Sequence, residues 1–161
     1  MKRTAGAALV SAALLWSAAA LGQPAVIPRI GTASQSSRVT FHKLKGYFSD
    51  TAASQFRLIR ADARTGTIVA QRSGFDDRSW SEYAYCKMGP GHLLDSLHDG
   101  AVTVKVKVEG VGRRASYVLV DAEFEGRYGG LGSSETTQQC VSQGLIERNI
   151  LAAAGATPPG G

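Results

Sequence analysis

Cys86 and Cys140 are the two cysteines of this 161-residue chain, and their placement raises two kinds of chemistry. Cys140 lies in the stretch QQCVSQGLIERNI, just ahead of a helical pattern, where orphan backbone amides stabilise a thiolate and lower its pKa. A thiol there can serve as a nucleophile, or it can be half of a disulfide. The choice separates an enzyme from a stapled scaffold, and it turns on the compartment.

Other residues invite a site reading. His92, Asp95, His98 and Asp99 recur near helical spacing, but zinc needs three or four convergent ligands, and Leu93, Leu94 and Leu97 beside them suggest a short amphipathic turn. The stretch GRYGGLGSSE, 126–135, falls between a strand pattern and a helix pattern, as a phosphate loop would. It has no Gly-Lys-Ser/Thr, and Glu135 stands where a dinucleotide fingerprint needs its last glycine, so it is expected to be a flexible connection bringing Cys140 towards Cys86. There is no nucleophile elbow and no metal-binding helix motif, and Glu123 and Glu125 read as ordinary solvent-side residues. The expectation is a protein without catalytic residues, metal or cofactor. A segment of another kind, 73–88, holds Phe75, Asp76, Asp77, Arg78, Trp80, Tyr83 and Tyr85; aromatic and of mixed charge, it is the expected protein-binding surface. The competing reading makes Tyr83 to Cys86 a short strand whose rings cap the core.

The compartment is read from the first residues. Lys2 and Arg3 precede an apolar run from Ala5 to Leu15, and Ala20-Leu21-Gly22 has the small-x-small spacing of a signal-peptidase site, so 1–22 is expected to be a signal peptide. No cysteine follows the run, which argues against lipid anchoring, and no integral membrane segment is expected after cleavage. Loss of Lys2 and Arg3 lowers the formal charge from +5 to +3. Basic residues are scattered among acids, so no nucleic-acid partner is expected. In the periplasm or outside the cell disulfides persist, and Cys86–Cys140 is the expected pair.

The elements that must position these groups follow from periodicity. Residues 23–36 read as a mobile leader and 156–161 as a disordered tail, leaving 37–155 as a single domain. In 37–50, Phe41, Leu44 and Phe48 recur at helical spacing, although Val39-Thr40-Phe41 has strand propensity; helix is preferred. Two β-rich runs flank Asp62 to Gly66 and predict a hairpin. The strongest pattern is AVTVKVKVEG, with Val102, Val104, Val106 and Val108 on one face. Its partner SYVLVDAEFE should pair in a register that sets Lys105 opposite Asp121 and Thr103 opposite Glu123. In the final helix Ile146, Ile150 and Ala153 share a face while Glu147 and Arg148 point elsewhere, with Ser142 as N-cap and Gly155 as stop. The fold class is α+β: an antiparallel sheet of at least four strands, helices packed on one face, and one disulfide.

AYCKMG, the alternating hairpin and QCVSQGLIERNIL together resemble small proteobacterial envelope proteins, often lipoproteins, over roughly residues 55–153. Cys86 matches the first cysteine of that group, with Lys87 and Met88 displacing the glycine to Gly89, and Cys140, Ser142, Gly144 and Glu147 match the later stretch. The order of elements is similar, at fold level, to the β-barrel assembly lipoprotein known as NlpB, which implies protein binding. The expected function is a non-catalytic exported interaction module that presents its sheet face or the 73–88 segment to another envelope protein. The alternatives are a binder of small ligands or peptidoglycan fragments, using a cleft between helix and aromatic segment, and a hydrolase with His92 or His98 as base.

Overall fold

A computed structural model describes residues 29–86, 96–130 and 134–157. The expected signal peptide, His92, Asp95 and the end of the tail lie outside these residues. The described elements run in the order β1 (Arg29–Ala33), α1 (Ser37–Ser49), α2 (Thr51–Ser54), β2 (Arg57–Asp62), β3 (Thr67–Phe75), α3 (Asp77–Tyr83), β4 (Ala84–Tyr85), β5 (Ser96–Val111), β6 (Ala115–Gly129), β7 (Thr136–Ser142), α4 (Leu145–Ala154) and β8 (Ala156–Thr157). They form an α+β protein with an antiparallel sheet in the order β2-β3-β5-β6-β1-β8, to which β7 adds beside β6 and β4 beside β7.

The centre is the long β5–β6 hairpin. Val102, Val104, Val106 and Val108 of β5 and Val118, Val120, Ala122 and Phe124 of β6 are buried on one face, as alternation requires. Each buried valine contributes roughly 1.5–3 kcal/mol, so the register is fixed by apolar burial: slipping one residue would turn every valine to water. Lys105 is opposite Asp121 and Thr103 opposite Glu123, as the pattern predicts. The ion pair itself is diagonal, Lys105 Nζ to Glu123 Oε1 at 2.5 Å. At the far end of this core the β2–β3 turn is closed by Asp62, whose Oδ1 accepts the amides of Arg64 and Thr65, and by Gly66 at φ 68°.

Helices cover the valine face. The spacing of Thr40, Phe41, Leu44 and Phe48 buries one stripe of α1, and the Thr40 and Ser116 hydroxyls satisfy each other at 2.9 Å inside the core. Helix α4 lies against β6, β1 and α1, and ends on Gly155 in the left-handed conformation, as expected.

Four local expectations are corrected. Residues 29–33 of the supposed leader form β1, paired with β6 from Arg29↔Val120 to Ala33↔Ser116, because Gly31 and Ala33 turn inwards beneath α4. Ala156 and Thr157, placed in the tail, pair with β1. Residues 126–129 of the expected connection continue β6, and the chain beyond it forms β7, which pairs antiparallel with β6 from Phe124↔Cys140 to Tyr128↔Thr136. The N-cap of α4 is Gly144 at φ 79°, and Ser142 accepts the Gly144 amide one turn earlier.

Glu147 also departs from expectation. It is 1% exposed on the inner side of α4, and its Oε2 has no hydrogen-bond partner among the described residues. An unsatisfied buried carboxylate opposes folding. Glu147→Leu, which keeps the volume and removes the polar atoms, is therefore expected to raise the unfolding free energy by about 1–3 kcal/mol in urea titration. A loss of stability would show that the carboxylate is compensated.

Candidate functional site

The segment expected to bind a partner is divided between core and surface: Phe75 and Trp80 are buried, Tyr83 is half-buried, and Asp76, Asp77, Arg78 and Tyr85 are exposed. The β3 strand delivers Phe75 and the α3 helix delivers Trp80, at 2% and 4% exposure, and their rings meet at 5.4 Å. Gly100 makes room for this: a Cβ there would lie 2.6 Å from the Trp80 ring. Trp80 packs in turn on Phe124, and the Arg72 guanidinium lies 4.2 Å from the centroid of Phe75 and 5.3 Å from that of Tyr83. Asp76 caps α3, accepting the Ser79 amide at 2.8 Å and the Ser79 hydroxyl at 2.6 Å; these bonds hold its carboxyl below the usual range. Asp77 Oδ1 accepts the Leu97 amide. Asp76, Asp77 and Arg78 remain exposed, as does Tyr85 at 64%. Two of the seven residues, Phe75 and Trp80, thus belong to the core. Hydrophobicity at helical spacing in α3 was the signal that Trp80 faces inwards.

The disulfide pairs Cys86 with Cys140, Cα to Cα 4.3 Å, and fastens the end of β4 to β7. Two buried side chains donate to the Cys86 sulfur: Trp80 Nε1–H at 3.2 Å and Tyr128 O–H at 2.9 Å. Neither donor is evident from the sequence, since Tyr128 reaches the sulfur from 42 residues away.

His98 sits at the start of β5, half-exposed, with Nδ1 4.0 Å from Glu135 Oε1. Asp99 is taken up by Arg127 at 2.8 Å. Among the described residues no three His, Cys, Asp or Glu side chains gather as a metal set.

The sheet leaves its other face without a helix among the described residues. Register places Thr67, Lys107, Leu119 and Ile30 in one row across four strands, with Glu109, Tyr117 and Thr32 in the next. Ile30 and Tyr117 are 48% and 49% exposed. With Leu119 and the stems of Lys107 and Glu109 they line an apolar hollow of about 300 Å³. Further along, Asp121, Glu123 and Glu125 make this face acidic, and burial together with the Glu123 charge pushes the Asp121 carboxyl up. The strand alternation that located the core also locates this face, but not its exposed apolar residues in β1, which lie in the supposed leader.

The larger concavity, about 520 Å³, opens between α1 and the β2–β3 turn, away from the aromatic segment. Arg38, His42 and Arg64 line it with Ser37 and Thr65, and no carboxylate among the described residues does.

Comparison with family models, with curated proteins and with solved structures finds no match, so the site stands on its own geometry.

Proposed function

We propose that this chain is a non-catalytic, exported interaction module of the bacterial cell envelope, which docks another envelope protein on the helix-free face of its sheet. The observation that carries the reading is the apolar cluster of exposed Ile30 and Tyr117 around half-buried Leu119, hemmed by Lys107 and Glu109, on a face that no described helix covers. An apolar centre with a charged rim is the anatomy of a protein interface. A disulfide as the sole state of both cysteines supports a compartment outside the cytoplasm. No described helix is long and apolar enough to cross a membrane. The paired cysteines and the later Cys-x-Ser-x-Gly-x-x-Glu stretch support the envelope assignment through the resemblance alone.

A photo-crosslinking side chain at position 117, in the full chain expressed in a proteobacterial host, should give one dominant protein adduct. The same group at Arg78, on the other side of the molecule's core, should not. Equal or absent adducts from the two positions would remove the sheet face as the docking surface.

The second reading, a binder of small ligands, is favoured by the cleft lined by Arg38, His42 and Arg64. Its cationic lining suits carboxylates, which peptidoglycan peptides carry.

A further inference from the structure

We infer that Cys86, rather than Cys140, is the exchange site of this protein: the thiol on which an external protein dithiol–disulfide oxidant forms its mixed disulfide when the native bond is made. The two sulfur atoms face opposite kinds of group. Cys86 Sγ receives the Trp80 indole N–H at 3.2 Å and the Tyr128 hydroxyl at 2.9 Å. Cys140 Sγ lies 3.5 Å from the carbonyl oxygen of Gln138, an acceptor that opposes negative charge. A disulfide sulfur is a weak acceptor, whereas the same donors facing a thiolate form charge-assisted bonds of about twice the strength. The donors therefore match the open form of Cys86 better than the closed one.

Both donors are held in place without the bond. Trp80 is wedged among Phe75, Phe124 and the space left by Gly100, and Tyr128 is buried on β6. Burial pushes the Tyr128 hydroxyl up, so it stays protonated and can donate throughout the range in which a thiol titrates. Access points the same way, since Cys86 is partly exposed and Cys140 is 3% exposed.

The reaction balances in two steps. The Cys86 thiolate attacks one sulfur of the oxidant's disulfide, the S–S bond breaks, and the oxidant's second sulfur leaves as a thiolate. Cys140 then gives its proton to solvent and attacks Cys86 Sγ, forming the native bond and expelling the oxidant's first sulfur as a thiolate. Two thiols are oxidised and one disulfide is reduced to a dithiol. The reverse reaction is hindered at both ends. Attack on accessible Cys86 must expel the Cys140 thiolate against the Gln138 carbonyl, and attack on Cys140 must reach a buried sulfur.

The test measures iodoacetamide alkylation against pH in C140A, which leaves Cys86 free, and in C86A, which leaves Cys140 free, with far-UV circular dichroism to follow folding. Cys86 is expected to react with a midpoint about one unit or more below the ordinary thiol value of about 8.5, and about tenfold faster than Cys140 near pH 7. Adding Tyr128→Phe to C140A should raise the midpoint, which loss of packing alone would not do. Each variant in urea provides the unperturbed reference. Should C140A not fold, the reduced wild-type chain is alkylated and the two sites are resolved by peptide mass spectrometry. A Cys86 midpoint equal to its value in urea, or one that Tyr128→Phe leaves in place, overturns the inference. A chain that unfolds whenever the bond is open overturns it too, because the donors would then never meet a free sulfur.

Discussion

Replacing Cys86 and Cys140 together by alanine is expected to lower the unfolding free energy by roughly 4 kcal/mol. The cysteines are 54 residues apart, and in the loop-entropy account closing a segment of that length restricts the unfolded chain by about this amount. Against a total of about 5–15 kcal/mol for an ordinary domain, the loss is large enough to populate the unfolded chain at moderate temperature. It will also be felt locally. Strand β4 has two residues, and besides the disulfide it is tied to β7 only by its short pairing among the bonds of the described residues, while the Gln143 amide and side chain hold the preceding helix by donating to the carbonyls of Tyr83 and Ser81. Equilibrium urea unfolding of the double variant checks the figure, and hydrogen exchange checks its location, with β4 expected to lose protection first. A midpoint matching that of the wild type would mean that the unfolded chain holds these segments together without the bond.

Where alternation was strict, structure was legible down to single residues. Burying the valines of β5 and the even positions of β6 together requires odd residues to oppose odd ones, and the register with Lys105 opposite Asp121, one that meets this condition, is the one formed. Helix α1 was legible for the same reason, since Phe41, Leu44 and Phe48 fall on one face only at helical pitch. Strand β1 was not, because its inward residues are Gly31 and Ala33, which carry little hydrophobic signal, and it gains its order from β6, more than eighty residues away. The β7 strand is polar, TTQQCVS, and shows no apolar alternation that would announce its pairing with β6. The failure at Glu147 has another cause. A helix of ten residues whose buried stripe takes in Ile146, Glu147, Ile150, Leu151 and Ala154 is wider than its apolar residues, so a polar side chain is carried inside.

The candidate site was half legible. That Cys86 and Cys140 join followed from compartment and number. The fate of the aromatic residues near Cys86 did not follow, because an aromatic run of mixed charge is compatible with a binding loop and with a core lid. What decides between them is Gly100, a residue on a distant strand whose missing side chain leaves the space Trp80 fills. On the sheet face, Tyr117 and Leu119 of β6 meet Ile30 of β1 through the pairing of these two strands.

Phe124→Ala is expected to cost about 3–5 kcal/mol, the range for emptying a fully buried aromatic site. Phe124 is 0% exposed, opposite Val102 on one side and Cys140 on the other, with its ring 5.6 Å from that of Trp80. Its removal would open a cavity beneath the Trp80 ring at the place where helix α3 is held to the sheet. Since β5, β6 and β7 are fastened together around this position, the backbone cannot collapse to fill the space, and the cost should lie towards the upper end. Phe124→Leu retains most of the volume and should cost less than about 1.5 kcal/mol. Trp16 and Trp80 are the two tryptophans, so a chain processed after Gly22 keeps Trp80 alone as a fluorescent reporter. Its emission should shift to the red in Phe124→Ala and stay close to that of the wild type in Phe124→Leu. Equal, small costs for both variants would mean that Phe124 does not seat Trp80. The position of the indole against Cys86 would then need another support.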